Sequence, residues 1–134
     1  MSFVRRHRWF LTRYVFRGRV YVRPERFQEN LSKLQEIVRE YVSHCYFIAL
    51  SISPTTSEID GRSYGFNDNV ARYNTILQNL FGDGYVDLDS LLGGDPETYL
   101  ISDGIHLTKD AHSKISEYLY HFVSHLFQRV EYRR

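Results

Sequence analysis

Asp103 and His106 have the types and the spacing to do chemistry together. They stand three apart in the run Leu100-Ile101-Ser102-Asp103-Gly104-Ile105-His106-Leu107-Thr108. A carboxylate hydrogen-bonded to one imidazole nitrogen fixes the tautomer and orientation of the ring, and the other nitrogen is left free to take a proton. Such a pair is the general-base half of a device for activating a nucleophile, and the nucleophile is the other half. The bland reading of the same residues is a helix-start acid beside a surface histidine. Thr108 is a suitable N-cap, and apolar residues recur at Ala111, Ile115, Leu119, Phe122 and Leu126, the spacing of one helical face. The pair is therefore expected on the loop just ahead of a helix over about 108–127.

The elements that must position this loop can be read upstream. Pro24 followed by Glu25 marks a helix start, since proline costs least at the first helical position. Phe27, Leu31, Leu34, Val38, Tyr41 and Val42 give that helix one apolar stripe, with Glu29 and Lys33 placed to pair across a turn. Residues 46–52 form a strand apolar on both faces, as expected when helices cover both sides of a sheet. A Ser/Thr-rich loop over 53–63 follows at its C-terminal end, where open α/β sheets place ligands. A helix over about 68–81 leads through Gly82-Asp83-Gly84 to a strand over 85–88, and Gly93-Gly94-Asp95-Pro96 makes a turn before the last helix. The alternation of helix and strand predicts an α/β fold, a partial doubly wound, flavodoxin-like parallel sheet with flanking helices. Two strands make a poor sheet alone, so further strands are expected from upstream sequence.

The series formed by residues 46–54, by Asn69-Val70-Ala71-Arg72-Tyr73-Asn74-Thr75-Ile76-Leu77, by Tyr85-Val86-Asp87-Leu88 and by the Asp103-to-Thr108 run resembles the C-terminal part of the SGNH (GDSL-type) serine hydrolases. The resemblance covers about residues 24–127, and its sharpest motif is Asp103 to Thr108. It implies that Asp103 and His106 are the acid and base of a Ser-His-Asp triad. It also implies a serine in a Gly-Asp-Ser turn far upstream, and this chain contains no Gly-Asp-Ser. The family's Gly-x-Asn-Asp block, which helps build the oxyanion hole, is expected shortly before residue 1. Gly65-Phe66-Asn67-Asp68 matches that pattern, yet it opens a helix rather than following a strand, so Asn67 or Asp68 is read as an N-cap.

Other candidates are weaker. His121 and His125 stand four apart on the last helix, a metal-binding spacing without a third convergent ligand, and are read as ordinary helix residues. Ser51, Ser53 and Ser102 offer hydroxyls, none in a glycine-flanked elbow that would expose and activate it. Asp87 and Asp89 close a strand and are given no role. Cys45, the single cysteine, excludes an internal disulfide and reads as a buried small hydrophobe. No cofactor and no metal is required by this reading.

A chain of 134 residues, 43% hydrophobic and 16% aromatic, fits one domain with a packed core. Eight arginines against Glu25 alone give the first 26 residues a net charge of +7; with +1 overall, the remainder carries −6. The basic, aromatic-rich segment 1–23 has three readings: a lid or flank of the hydrolase-like part 24–134, an organelle transit peptide, or a grip on single-stranded nucleic acid. The lid is favoured, and nucleic acid is not the expected partner. No apolar run approaches the roughly 20 residues of a membrane span. Arginines interrupt every apolar stretch near the start, which argues against a signal peptide and, with the cysteine count, for a cytoplasmic protein. Two function classes follow. One is an ester hydrolase acting on a small-molecule ester, whose serine lies on an upstream segment. The other is a non-catalytic remnant or interaction module of the same fold.

Overall fold

Helix α1 (Pro24–Tyr41) begins at the proline that marks it in the sequence. It is followed by β1 (Ala49–Leu50), α2 (Ser57–Arg62), α3 (Phe66–Phe81), a 3-10 turn over Gly82–Gly84, β2 (Tyr85–Val86), α4 (Leu88–Leu92), α5 (Pro96–Tyr99) and α6 (Lys109–Glu131). This computed structural model describes residues 22–63 and 65–131, so the expectations for the segment 1–21 lie outside the described residues. The chain is mostly helical around a two-stranded parallel sheet, an α/β arrangement in the broad sense. Among the described residues no helix is long and apolar enough to cross a membrane.

The two strands pair Ala49 with Tyr85 and Leu50 with Val86, and the Ser51 N–H extends the ladder to the Val86 carbonyl at 2.9 Å. Both strands are shorter than the predicted 46–52 and 85–88, for identifiable reasons. After Val86, the Asp87 carboxylate accepts the backbone N–H groups of Asp89 (3.1 Å) and Ser90 (3.3 Å), which turns the chain into α4. Asp87, given no role from the sequence, is thus a helix N-cap. After Ser51, the Asn74 side chain of α3 accepts the Ile52 N–H and donates to the Ile52 carbonyl, both at 2.8 Å. The amide takes the place of a neighbouring strand there. The expectation that helices cover β1 on both faces fails as well. Ala49 and Ser51 are buried, whereas Leu50 and Ile52 are 39% and 40% exposed.

The main core gathers around β2, where Val86, Leu88, Leu92, Tyr99, Leu100, Ala111 and Ile115 pack together with Ile48, Leu91, Leu107 and Leu119 against them. Ala111, Ile115 and Leu119 come from the apolar face read for the last helix, and Thr108 caps it by accepting the Ala111 N–H at 3.2 Å. Buried Tyr99 donates to the Asp89 carboxylate at 2.5 Å; burial, then that bond, pushes the phenol above its ordinary range. Helix α1 packs on α3, with Phe27 edge-on to Tyr73 at 5.0 Å. The stripe read for α1 is wider than this one neighbour covers, so Leu34, Tyr41 and Val42 remain exposed. Glu29 pairs not with Lys33 but with Arg26, at 3.9 Å and in solvent, where such a pair contributes little.

Several further expectations are corrected. Residues 57–62 form α2 rather than part of a loop, Gly93-Gly94-Asp95-Pro96 leads directly into the one-turn α5, and Cys45 is exposed rather than buried. Asp95 starts α5 by accepting the Glu97 N–H at 3.1 Å. Two glycines make opposite predictions. A Cβ on Gly84 would overlap the Phe47 carbonyl oxygen, a backbone atom that cannot step aside, whereas one on Gly61 in α2 would meet nothing within 4 Å. Gly84→Ala is expected to lose about 1–3 kcal/mol of stability through overpacking, and Gly61→Ala to gain about 0.5–1 kcal/mol. Urea denaturation of the two variants beside the parent chain measures both signs.

Candidate active site

The Asp-Gly-Ile-His run is the tip of a closed loop. Its two arms meet in an antiparallel bridge between Leu100 and Leu107, flanked by Ile101 N–H to the His106 carbonyl (2.8 Å) and Thr108 N–H to the Tyr99 carbonyl (2.9 Å). Within the tip, the Gly104 N–H donates to the Ile101 carbonyl at 2.9 Å. The loop's base is therefore set by the core residues Tyr99 and Leu100 on one arm and by the start of α6 on the other.

Asp103 spends both carboxylate oxygens inside this tip. Its Oδ1 accepts the backbone N–H groups of Ile105 (2.9 Å) and His106 (3.0 Å), and its Oδ2 meets His106 Nδ1 at 2.6 Å. The backbone N–H of His106, then its ring, then the N–H of Ile105 hold the Asp103 carboxyl down at about 2. A negative oxygen against Nδ1 places the ring proton there and leaves Nε2 as the free nitrogen. That face is open: the His106 side chain is 75% exposed, and no hydrogen bond to Nε2 exists among the described residues.

Gly104 is the buried member of the four-residue tip, between exposed Asp103 and exposed Ile105 and His106. It adopts a left-handed φ of +69°, and a Cβ there would lie 2.5 Å from Thr56 Oγ1 and 2.8 Å from Ile59 Cγ1. Its carbonyl accepts the Thr55 hydroxyl and, at 3.4 Å, the Thr56 N–H. Thr55 lies three residues beyond Ile52, so the pair sits beside the segment leaving the C-terminal end of β1. Thr55 is itself gripped by Asn67, whose side chain accepts the Thr55 N–H at 2.9 Å and donates to the Thr55 carbonyl at 3.1 Å. Asp60 Oδ1 in turn accepts the Asn67 N–H at 2.9 Å. The start of α2 is tied in by Glu97, which accepts both the N–H and the hydroxyl of Ser57.

Asn67 is thus a clamp, not the N-cap read from the sequence. The capping position of α3 belongs to Gly65 at φ +67°, with no side-chain bond. Among the described residues no serine hydroxyl and no thiol hydrogen-bonds His106. Ser51 is buried with its Oγ accepting the Leu88 N–H at 2.8 Å, and Ser102 is exposed without reaching the ring. His121 and His125 are exposed on α6, and no cluster of three metal-ligating side chains occurs among the described residues.

No protein-family model matches the chain, and no curated protein or solved structure matches it significantly. The chemistry of the pair therefore stands on its geometry.

Thr55, Asp60 and Asn67 escaped the sequence reading as parts of this site. The one usable signal was the seven-residue spacing of Asn67 and Asn74, which sets two amides on the same face of α3, each closing on the segment that leaves β1. The carboxyl of Asp103 gives a direct measurement. Its folded value lies below the ordinary 3.8, so its contribution to the folded loop is fully present above that pH and is lost as pH falls toward 2. A ¹³C NMR titration of the Asp103 carboxyl carbon is expected to show a midpoint of about 2. Replacing His106 by Ala removes the ring contact and is expected to raise that midpoint while leaving the two backbone donors in place.

Proposed function

We propose that residues 24–134 are the C-terminal part of an SGNH-type (GDSL-like) serine hydrolase fold, and that Asp103 and His106 are the acid and base of its ester-cleaving triad. The observation that carries this reading is the pair itself. Asp103 is held by two backbone N–H groups and is bonded through its second oxygen to Nδ1, while Nε2 faces solvent. The placement of the pair beside the exit from β1, in a parallel α/β arrangement, supports it further, since that is the end at which such sheets gather their ligands. The remaining strands of a doubly wound sheet belong to the same proposal.

The chemistry assigned to the residues is short. Nε2 of His106 accepts the proton of a serine hydroxyl as its oxygen attacks the ester carbonyl, and the imidazolium is stabilised by Asp103. The same proton is then delivered to the departing alkoxide, giving an acyl-serine and an alcohol. In the second half His106 takes a proton from water, hydroxide displaces the acyl group, and the serine is re-protonated. In this reading the serine and the oxyanion donors are those of a segment bearing a Gly-Asp-Ser turn, a sequence this chain lacks, and among the described residues no hydroxyl hydrogen-bonds the ring. The alternative, a non-catalytic interaction module, is favoured by one feature: Leu50 and Ile52 are 39% and 40% exposed, and the second edge of β1 pairs with no strand among the described residues.

An assay on short acyl esters separates these readings. The 134-residue chain alone is expected to turn over no faster than its His106→Ala variant. With a segment carrying the Gly-Asp-Ser turn added in trans or fused ahead of residue 1, turnover is expected, and Asp103→Asn or His106→Ala should lower it by about 10²–10⁴-fold. Turnover by the chain alone that disappears in His106→Ala would show that the nucleophile lies within these residues. Turnover indifferent to both substitutions would overturn the assignment of the pair.

A further inference from the structure

We propose that Thr55, gripped by the Asn67 side chain, is the positioning residue of the Asp103–His106 pair and acts on it through the Gly104 carbonyl. This rests on the reading of that pair as the functional centre. Three of the four residues in the tip, Asp103, Ile105 and His106, stand in solvent, and the loop is attached to the body of the protein at the fourth. The attachment is the Gly104 carbonyl, which accepts the hydroxyl of buried Thr55 across 49 residues of sequence.

The planarity of the peptide group converts this attachment into control of the carboxylate. The Gly104 carbonyl and the Ile105 N–H are the two ends of one rigid peptide unit. A hydroxyl that fixes the direction of the carbonyl therefore fixes the direction of the N–H, and that N–H points at Asp103 Oδ1 from 2.9 Å. With Oδ1 held by Ile105 and His106, rotation of the carboxyl group is arrested and Oδ2 is aimed at Nδ1. Thr56 and Ile59 lie against Gly104 where a Cβ would stand, so the backbone is packed closely on them.

Thr55 is in no position to drift. Asn67 holds its N–H and its carbonyl at once, and the Asn67 backbone is anchored on Asp60. Information about where α3 begins therefore passes through Asn67, the Thr55 backbone and the Thr55 hydroxyl to the Gly104–Ile105 peptide, and from there to the carboxylate. Each link is a hydrogen bond, and at the Gly104 carbonyl the Thr55 hydroxyl is the shorter of two donors, the other being the Thr56 N–H at 3.4 Å. A threonine present only for packing would be replaced by valine without consequence for the charge state of Asp103.

The test needs no substrate. The Asp103 carboxyl carbon is titrated by NMR in the parent chain, Thr55→Val, Thr55→Ser, Asn67→Ala and, as a destabilised control in the core, Ile115→Val. Thr55→Val and Asn67→Ala are expected to move the midpoint from about 2 toward 3.8 and to shift the Ile105 amide proton upfield at neutral pH. Thr55→Ser, which keeps the hydroxyl, is expected to restore both readings, and Ile115→Val to leave both unchanged. A folded Thr55→Val that keeps the parent midpoint and amide shift overturns the proposal, as does an equal shift in Ile115→Val. Should Thr55→Val fail to fold, Asn67→Ala decides on the same two readings. Failure of ester turnover with the Gly-Asp-Ser segment supplied would sink the hydrolase reading and leave these results standing, whereas unchanged midpoints would sink only the relay.

Discussion

The buried contact between the Thr55 hydroxyl and the Gly104 carbonyl is the point on which the site depends. A four-residue tip with three side chains in solvent has little packing of its own, and a short exposed acid–histidine pair is ordinarily free to turn. Here the backbone between the two partners is docked. Gly104 supplies the left-handed conformation and the absence of a Cβ that let the chain press against Thr56 and Ile59. The hydroxyl supplies direction. While the carbonyl stays buried, loss of the hydroxyl leaves it only the longer Thr56 N–H at 3.4 Å, a cost of up to about 1–3 kcal/mol.

The surrounding structure is built to deliver that contact. The core around Val86, Leu92, Tyr99, Leu100 and Ile115 fixes the base of the loop through residues adjacent to it in sequence. The second support comes from across the chain, through α3. Its amides Asn67 and Asn74 hold the segment leaving β1 at Thr55 and at Ile52, supplying hydrogen bonds that a further strand would otherwise make. The sheet itself is small, and two residues per strand could not hold this segment without them. Fold and site are therefore coupled through side-chain amides more than through sheet.

How far the sequence disclosed this follows the range of the interactions. The Asp103–His106 pair, the Thr108 cap, the Pro24 start and the apolar face of α6 were legible because each is decided within a few residues. The strand lengths were not, because β1 ends where Asn74 intervenes from 22 residues away and β2 ends where Asp87 turns its own side chain onto the next helix. Asn67 looked like a helix cap because its neighbours in sequence suit one; its actual partner lies 12 residues back, which no local pattern encodes. Cys45 and the exposed part of the α1 stripe were misjudged for a related reason. Apolar character indicates a preference for burial, and only the available neighbours decide whether burial is achieved.

Everything proposed for function reduces to one proton. If Asp103 Oδ2 is the acceptor at 2.6 Å, the neutral imidazole of His106 carries its hydrogen on Nδ1 and presents a bare Nε2. Long-range ¹⁵N–¹H correlation spectra of the His106 ring, recorded at a pH where the ring is neutral, read this directly. The account predicts an Nδ1–H, pyrrole-like, with Nε2 unprotonated, and loss of that preference in Asp103→Asn. A parent chain whose neutral ring is protonated on Nε2 would contradict it, because a nitrogen that already carries the proton cannot serve as the base.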